Sequence, residues 1–212
     1  MEFSDFIKYV PKIAKETLPA TDAHAKMVPP ERIEFLQKQS LINTIPKKAA
    51  VLMLLYPKSS QTHMALIVRN SYPGIHASQI AFPGGKVEVY DKDLSDTALR
   101  ETHEEIGVPK EKVEVIRAFS EVYIPPSNYL VSPFLGFSNE ELFFKLNPEE
   151  VSGIIELPLH QFLDESTVVT VSMTTSYAKD IMVPAFQIGE YLVWGATAMM
   201  MSELKELIKR VV

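Results

Sequence analysis

The sequence predicts an α/β fold, an α/β/α sandwich in which helices cover both faces of a mixed β-sheet, preceded by an N-terminal helical extension. Two observations support this class. Short β-rich runs bounded by turn residues fill the chain after residue 47, and one acidic helix interrupts them while a second helix closes the chain. With 46% hydrophobic and 23% charged residues in 212, the composition is that of an ordinary globular protein. We therefore expect an extension over 1–47 and one domain over 48–212.

The extension is expected to hold two helices joined by a linker. Phe3, Phe6 and Val10 recur at helical spacing, which predicts a helix over about 3–14. Proline in the first turn favours a second helix from Pro29 through residue 36, and residues 21–27 look like the linker between them. The apolar residues of these helices are compatible with either a homodimer contact or a lid.

The domain is expected to begin with a β-hairpin. Its two strands are 49–56 and 64–69, separated by the polar turn 58–61. Helices are predicted over 94–106, ended by Gly107, and over 197–211. Pro133 indicates an edge or a bulge in its strand. Further strands are predicted at 113–122, 130–137, 168–173 and 183–188, whereas 149–157 fits either a strand or a short helix.

Charge and composition exclude several classes of function. Lys plus Arg is 21 and Asp plus Glu is 27, a formal charge of −6, which argues against a nucleic-acid-binding protein. The chain has no cysteine, so disulfides, thiolate catalysis and cysteine-based zinc sites are excluded. The longest apolar run, 49–56, is too short to span a membrane. We expect a cytoplasmic protein with no membrane partner.

The helix over 94–106 carries the chemistry. At about 100° per residue, Arg100, Glu101, Glu104 and Glu105 share one face. The apolar arc beside it should face the core, and His103 should face solvent. Carboxylates at i,i+4 repel one another, and hard divalent cations such as Mg²⁺ bind carboxylate oxygens and bridge them to phosphates.

A solvated acidic face is the alternative explanation for a Glu-x-x-Glu-Glu run. Two neighbouring features weigh against it. Arg100 can fix a carboxylate by a bidentate pair, and Gly84-Gly85 lets backbone carbonyls approach a metal or substrate closely.

At these residues the sequence resembles the Nudix hydrolase family. The Nudix box is Gly, five residues, Glu, seven residues, Arg-Glu, an apolar residue, any residue, Glu-Glu, any residue, Gly and an apolar residue. Thr102 departs from the apolar position, and the span from Gly85 to Arg100 is one residue longer than the box prescribes. The first acid of the box stays open among Glu88, Asp91 and Asp93. Matching positions are Gly85, Arg100, Glu101, Glu104, Glu105, Gly107 and Val108.

A narrower resemblance is to the coenzyme A pyrophosphatase branch, which has the longer spacing. It rests on the segment 76–85, His-Ala-Ser-Gln-Ile-Ala-Phe-Pro-Gly-Gly, and on segments 123–128 and 194–198. Ser78 replaces a glycine of that branch, and Gly74 stands where the branch often has arginine. Arg69 or Lys86 could take the place of that arginine.

The resemblance implies hydrolysis of the diphosphate bond of coenzyme A or acyl-coenzyme A, giving 3′,5′-ADP and 4′-(acyl)phosphopantetheine, with Mg²⁺ or Mn²⁺ as cofactor. Glu101, Glu105 and Gly85 would hold the metal, and Glu104 would be a third ligand or the base. Arg100 would orient the carboxylates, while Glu149 or Glu150 is the alternative base. Substrate contacts would come from His76, Gln79, Phe82, Arg69, Lys86, Ser127 and Asn128.

Two rival functions remain open. The same chemistry could act on ADP-ribose or another nucleoside diphosphate derivative, and a non-catalytic Nudix ligand sensor is the second rival. Trp194 is interpreted as a core residue, with stacking on an adenine as its alternative.

Overall fold

The computed structural model describes residues 1–32, 45–70, 79–175 and 179–212. Within these residues the helices are α1 (Phe3–Ile13), α2 (Ala20–Ala25), α3 (Leu94–Ile106), α4 (Leu159–Leu163) and α5 (Gly195–Val211). The strands are β1 (Lys47–Lys58), β2 (Gln61–Arg69), β3 (Ile80–Ala81), β4 (Gly84–Lys86), β5 (Glu114–Ala118), β6 (Val122–Ile124), β7 (Tyr129–Phe137), β8 (Val151–Pro158), β9 (Val168–Met173), β10 (Ile181–Ile188) and β11 (Tyr191–Trp194).

The main sheet is mixed, as predicted. Its path runs β3-β2-β1-β7-β5, with β4 paired to β1, β6 to β7 and β8 to β2. β1 and β7 are parallel, whereas β1 pairs antiparallel with β2 and β4. A smaller antiparallel sheet has the order β11-β10-β9. The parallel pair puts β1 in the interior of the sheet, where both of its faces are buried.

Successive residues of β1 point to opposite faces and build two separate cores. Leu52 and Leu54 pack with Ala98 and Ile106 of α3 on one face. Met53 belongs to the core on the other face, which also contains α1 and α5. The predicted α/β/α sandwich is therefore confirmed.

The prediction of one strand over 113–122 is wrong, because the chain forms β5 and β6 with a break between them. The break lies opposite Pro133 of β7, which has no N–H to donate to a neighbouring strand. Phe119 donates its N–H to the Pro133 carbonyl at 2.8 Å, after which the chain leaves the ladder until Val122. Pro133 therefore lies inside the sheet, at a gap in the partner strand.

One segment that the sequence left open takes a definite structure, and another differs from its prediction. Residues 149–157, which fitted strand or helix, contribute β8, paired antiparallel with β2. Residues 21–27, predicted as linker, belong mostly to α2. The helix predicted from Pro29 is present at 30–32, and its continuation to residue 36 lies outside the described residues.

The N-terminal helices pack onto the domain. Phe6 and Ile13 of α1 are 1% and 0% exposed in the core that also contains α5, so these apolar residues are used within the chain. Arg117 of β5 donates to the carbonyls of Ile13 at 3.0 Å and Glu16 at 2.6 Å. In the described part of the chain no helix is both long and apolar enough to cross a membrane.

A buried carboxylate on α5 holds α2 in place through hydrogen bonds. Glu203 is 0% exposed and accepts hydrogen bonds from Ala20 N at 3.1 Å and from Ser120 Oγ at 2.6 Å. Ser120 N also donates to it at 3.2 Å, and His24 Nε2 lies 3.1 Å from its second oxygen. One side chain thereby joins α5, α2 and the loop between β5 and β6.

Candidate active site

Helix α3 presents the predicted charged face to a cavity. Asp93 caps its start by accepting from Asp96 N at 2.8 Å, and Gly107 ends it at φ 74°, a left-handed conformation that glycine adopts without strain. Ala98 and Ile106 anchor the opposite face in the core. Arg100, Glu101, Glu104 and Glu105 line the cavity, and His103 is exposed, as helical periodicity predicts.

Glu105 is the most deeply buried carboxylate of this face, with 1% of its side chain exposed. Gly84 N donates to its Oε2 at 2.8 Å, and Arg69 Nη1 lies 3.5 Å from its Oε1. Burial raises the pKa of the Glu105 carboxyl to about 8, although Gly84 N–H and Arg69 oppose that rise. A cation at this carboxylate would offset the cost of its desolvation.

Glu101 lies directly against the backbone of β4. A Cβ added to Gly85 would lie 2.4 Å from the Glu101 carboxylate, so residue 85 has no room for a side chain. Burial raises the pKa of the Glu101 carboxyl, while the hydrogen bond from Arg100 lowers it. The glycine is therefore required here because a carboxylate occupies the space beside it.

Arg100 is the centre of the ionic network. Its Nε and Nη2 form a fork on Asp91 at 2.7 and 3.0 Å, and Nη2 also donates to the Lys86 carbonyl at 2.9 Å. Nη1 donates to Glu101 at 2.9 Å and to Glu104 at 3.0 Å. The hydrogen bond from Arg100 holds the pKa of the Asp91 carboxyl far below its usual range. Arg100 is therefore anchored to the backbone of β4 and orients two carboxylates of its own helix, α3.

The three acids left open for the first position of the box have different surroundings. Asp91 is the buried partner of Arg100, with 1% of its side chain exposed. Asp93 caps α3, and Glu88 is an exposed residue that lines the cavity. Thr102, the departure at the apolar position, is buried and donates its hydroxyl to the Ala98 carbonyl at 2.7 Å, so its polar group is satisfied within the helix.

The cavity has a volume of about 820 Å³, within the usual range for small-molecule sites. Of the predicted substrate contacts, Gln79, Phe82, Arg69, Lys86 and Ser127 line it, and so does Glu150. His76 lies outside the described residues. The described residues therefore bring most of the predicted contacts to one cavity.

Asn128 and Glu149 do not belong to the cavity lining. Asn128 has φ 53°, accepts from the Tyr123 hydroxyl at 3.0 Å and donates to the Ile45 carbonyl at 3.4 Å. It therefore stabilises the turn before β7. Glu149 is exposed on the turn before β8, where its backbone N–H donates to Asn147 Oδ1 at 3.1 Å. Of the two alternative bases, only Glu150 reaches the cavity.

Part of the cavity wall comes from residues that were not among the predicted substrate contacts. Pro29 and Arg32 contribute from the N-terminal segment, and Thr174 and Thr175 from the end of β9. Trp194, for which a core position was the expectation, also lines the cavity and is partly exposed. Its neighbours Gly195 and Thr197, at the start of α5, complete this wall.

The donors at the acidic end suit a hard divalent cation by chemistry. Glu101, Glu104 and Glu105 offer carboxylate oxygens, the ligands that Mg²⁺ and Mn²⁺ prefer. As the side chains stand, no three His, Asp or Glu groups in residues 1–32, 45–70, 79–175 and 179–212 converge into a metal cage. Glu101 and Glu104 are instead directed onto Arg100. Binding an ion would require their carboxylates to turn partly away from that guanidinium.

Known proteins share a domain and much of the length of this chain. A family model of the NUDIX domain matches residues 46–174, more than half of the chain. The protein named "Uncharacterized Nudix hydrolase NudL" from Photorhabdus laumondii is 32% identical over 163 residues, covering 77% of this chain and 86% of that protein. The protein of the same name from Enterobacter sp. (strain 638) is 30% identical over 178 residues, covering 82% of this chain and 89% of that protein.

Solved structures show the same fold. The Nudix hydrolase RenU from M. smegmatis superposes with a TM-score of 0.54 at 18% identity, covering 79% of this chain and 88% of that one. A MutT/nudix family protein from Enterococcus faecalis superposes with a TM-score of 0.53 at 17% identity, covering 92% of this chain and 76% of that one. The match to the domain model, together with 32% and 30% identity over most of the length of two relatives, shows that this chain belongs to the Nudix hydrolase family.

Proposed function

We propose that this protein is a metal-dependent pyrophosphatase that hydrolyses the diphosphate bond of coenzyme A or an acyl-coenzyme A. The products would be 3′,5′-ADP and 4′-(acyl)phosphopantetheine. The observation that carries the proposal is the composition of the cavity. The carboxylates of α3 form its charged end, whereas residues such as Ile124, Pro125, Val183 and Met200 give it uncharged walls. A substrate with a charged diphosphate between an adenine and an uncharged pantetheine arm matches that division.

Glu101, Glu104, Glu105 and the Gly85 carbonyl would hold Mg²⁺ or Mn²⁺. Such an ion, when bound, neutralises diphosphate oxygens and polarises water for attack on phosphorus. The chain itself supplies the scaffold. Arg100 is held by Asp91 and the Lys86 carbonyl, so it stays at a fixed point beside the glutamates when their carboxylates turn toward an ion.

Two carboxylates are candidates for the general base. Glu104 has 47% of its side chain exposed, compared with 14% for Glu101 and 1% for Glu105. It therefore has the best access to water of the three. Glu150 lines the same cavity from the turn before β8 and is the alternative. A base must reach the attacking water directly or through one further water, and both positions face the cavity.

Two cations at the charged end would contact the diphosphate. Arg69 lies beside Glu105 and Lys86 is exposed on β4, and both line the cavity. These are the residues proposed to replace the arginine that the coenzyme A branch often has at position 74. Gln79 and Phe82 flank them. Together they give the substrate a fixed orientation relative to α3.

The proposal is tested with purified protein, coenzyme A and Mg²⁺ or Mn²⁺, with products identified by mass spectrometry. We expect 4′-phosphopantetheine and 3′,5′-ADP, and no turnover in EDTA. ADP-ribose is assayed in parallel. A higher kcat/KM on ADP-ribose would overturn the substrate assignment and favour the first rival. Tight binding of a nucleotide without turnover would favour the non-catalytic sensor.

The metal assignment is tested with Glu105→Gln. This variant keeps an acceptor for Gly84 N–H but loses the charge, so we expect turnover to fall by roughly 100-fold or more at saturating metal. His103→Gln, on the same helix but exposed, is the matched control and should retain wild-type turnover. Unchanged metal-dependent turnover in Glu105→Gln would show that Glu105 is not a ligand.

A further inference from the structure

Arg32 is a buried arginine that lines the cavity from outside the Nudix box. The residue is 7% exposed and lines the cavity together with Pro29. Its Nη2 donates to the Tyr123 carbonyl of β6 at 3.0 Å. Arginine binds phosphate through its planar fork, and burial strengthens such contacts because water competes less. Its position is therefore the first indication of a second anion-binding point.

Strand pairing places this guanidinium far from the carboxylates of α3. Lys86 of β4 pairs with Ala49 of β1, Ala49 pairs with Val131 of β7, and Val131 pairs with Val122 of β6. Three strand spacings separate the first and last residues of this row, which is about 14 Å. Arg100 is bound at the carbonyl of Lys86, and Arg32 is bound next to Val122. The two guanidinium groups are therefore bound at backbone positions about 14 Å apart, which we take as the two ends of the cavity.

A buried hydroxyl lies on the same wall as Arg32. Ser127 follows β6 in the short 3₁₀ turn Pro125–Ser127 and lines the cavity. Its Oγ is buried and finds no hydrogen-bond partner among the described residues. A buried hydroxyl without a partner costs free energy, which a ligand oxygen at this position would recover. Trp194 also lines the cavity and offers a flat ring to a base.

We propose that Arg32 and Ser127 bind a second phosphate of the substrate, the phosphate on the 3′ position of its ribose. This inference rests on the proposed function and names the part of the substrate that the N-terminal segment recognises. The diphosphate occupies the end beside α3, and about 14 Å between the two ends leaves room for a ribose. The pantetheine arm carries no charge and gives a guanidinium nothing to pair with. A nucleotide 3′-phosphate supplies both the charge and the acceptor oxygens.

The first experiment measures binding without turnover. Calorimetry in EDTA compares 3′,5′-ADP with 5′-AMP, which differ only in the 3′-phosphate. We expect the wild-type protein to bind 3′,5′-ADP at least tenfold more tightly, because a charge-assisted contact to a buried arginine is among the stronger hydrogen bonds. Arg32→Met should remove this preference and leave the affinity for 5′-AMP within about twofold. Arg32→Lys should keep part of it, since the charge remains but the fork is lost.

Two further variants separate recognition from a structural role. Arg117→Met removes another arginine that holds backbone carbonyls of the N-terminal segment, but Arg117 does not line the cavity. It should leave the preference for 3′,5′-ADP intact. Ser127→Ala should weaken the binding of 3′,5′-ADP several-fold without affecting the binding of 5′-AMP. This variant tests the site even where Arg32→Met proves unstable. Thermal midpoints establish that each variant is folded.

The second experiment uses turnover of coenzyme A and 3′-dephospho-coenzyme A. Arg32→Met should raise KM for coenzyme A at least tenfold and leave 3′-dephospho-coenzyme A unchanged. Equal losses on both substrates, or a wild-type protein that does not distinguish 3′,5′-ADP from 5′-AMP, would overturn the proposal. A protein that prefers 3′,5′-ADP through Arg32 but hydrolyses neither coenzyme A form would support this site and contradict the proposed substrate.

Discussion

Replacing Glu203 by Gln tests whether one buried carboxylate holds the N-terminal helices in place. Glu203 is 0% exposed and receives hydrogen bonds from Ala20 and Ser120, with His24 3.1 Å away. Glutamine has nearly the same shape, but it replaces one acceptor oxygen by an NH₂ group. That group would face N–H and O–H donors, so at least one buried donor would lose its partner.

The expected cost follows from these contacts. A buried donor left without a partner costs about 1–3 kcal/mol, and a hydrogen bond to a charged group contributes about 1.5–3 kcal/mol. These two effects overlap, so we expect Glu203→Gln to lower the free energy of unfolding at pH 7 by about 2–4 kcal/mol. For a chain of this size the thermal midpoint should fall by roughly 5–15 °C.

The destabilisation caused by Glu203→Gln should depend on pH. Burial raises the pKa of the Glu203 carboxyl, but the hydrogen bonds from His24 and Ser120 outweigh burial and hold it below the ordinary 4.5. A lowered carboxyl pKa stabilises the fold above the unfolded-state pKa, and that contribution is lost as the pH falls through the folded-state value. The free energy of unfolding of the wild type should therefore exceed that of the variant by the full amount at pH 7. The difference should shrink as the pH falls below about 4.5.

Denaturant unfolding at several pH values measures both effects. Glu206→Gln is the matched control, because Glu206 lies on the same helix and pairs with Lys26 at 2.9 Å, but the two side chains are 29% and 53% exposed. Glu206→Gln should lower the free energy of unfolding by less than about 1 kcal/mol. The reasoning is refuted if Glu203→Gln is no more destabilising than this control, or if its cost grows on acidification.

Two further predictions concern the cavity. Gly85→Ala should lower turnover by roughly 100-fold with little change in thermal midpoint, because its Cβ would lie 2.4 Å from the Glu101 carboxylate, a flexible group that must move. Gly153→Ala, whose Cβ would meet Val68 at an ordinary 3.4 Å, is the control, and equal activities of the two variants would contradict the assignment. Trp194 is the one tryptophan in the sequence and lines the cavity, so 3′,5′-ADP should change the protein's fluorescence; an unchanged spectrum at saturation counts against stacking at that wall.

Sequence reasoning succeeded where a pattern is local. The face of α3 follows from helical periodicity, and its end follows from Gly107, because both depend on residues within a few positions of one another. The two-sided burial of β1 was likewise predictable from its continuous apolar run. These local patterns were enough to predict the fold class and the charged end of the cavity.

The errors arose where tertiary contacts decide the structure. Helix α2 has six residues, too short to be stable by propensity, and its first N–H, that of Ala20, donates to Glu203 more than 180 positions later. The break between β5 and β6 depends on Pro133 in the neighbouring strand. The cavity wall formed by Arg32 has the same origin, since strand β6 holds that side chain in place and no spacing in the sequence links the two.

The position of Arg32 has a consequence for how relatives are compared. The family model begins at residue 46, but Pro29 and Arg32 precede it and line the cavity. The matched region therefore does not contain all the residues that line the cavity. Two proteins with the same box and the same sheet could differ in what they bind through their leading segments alone. Substrate choice could then diverge by exchange of that segment, with helix α3 unchanged.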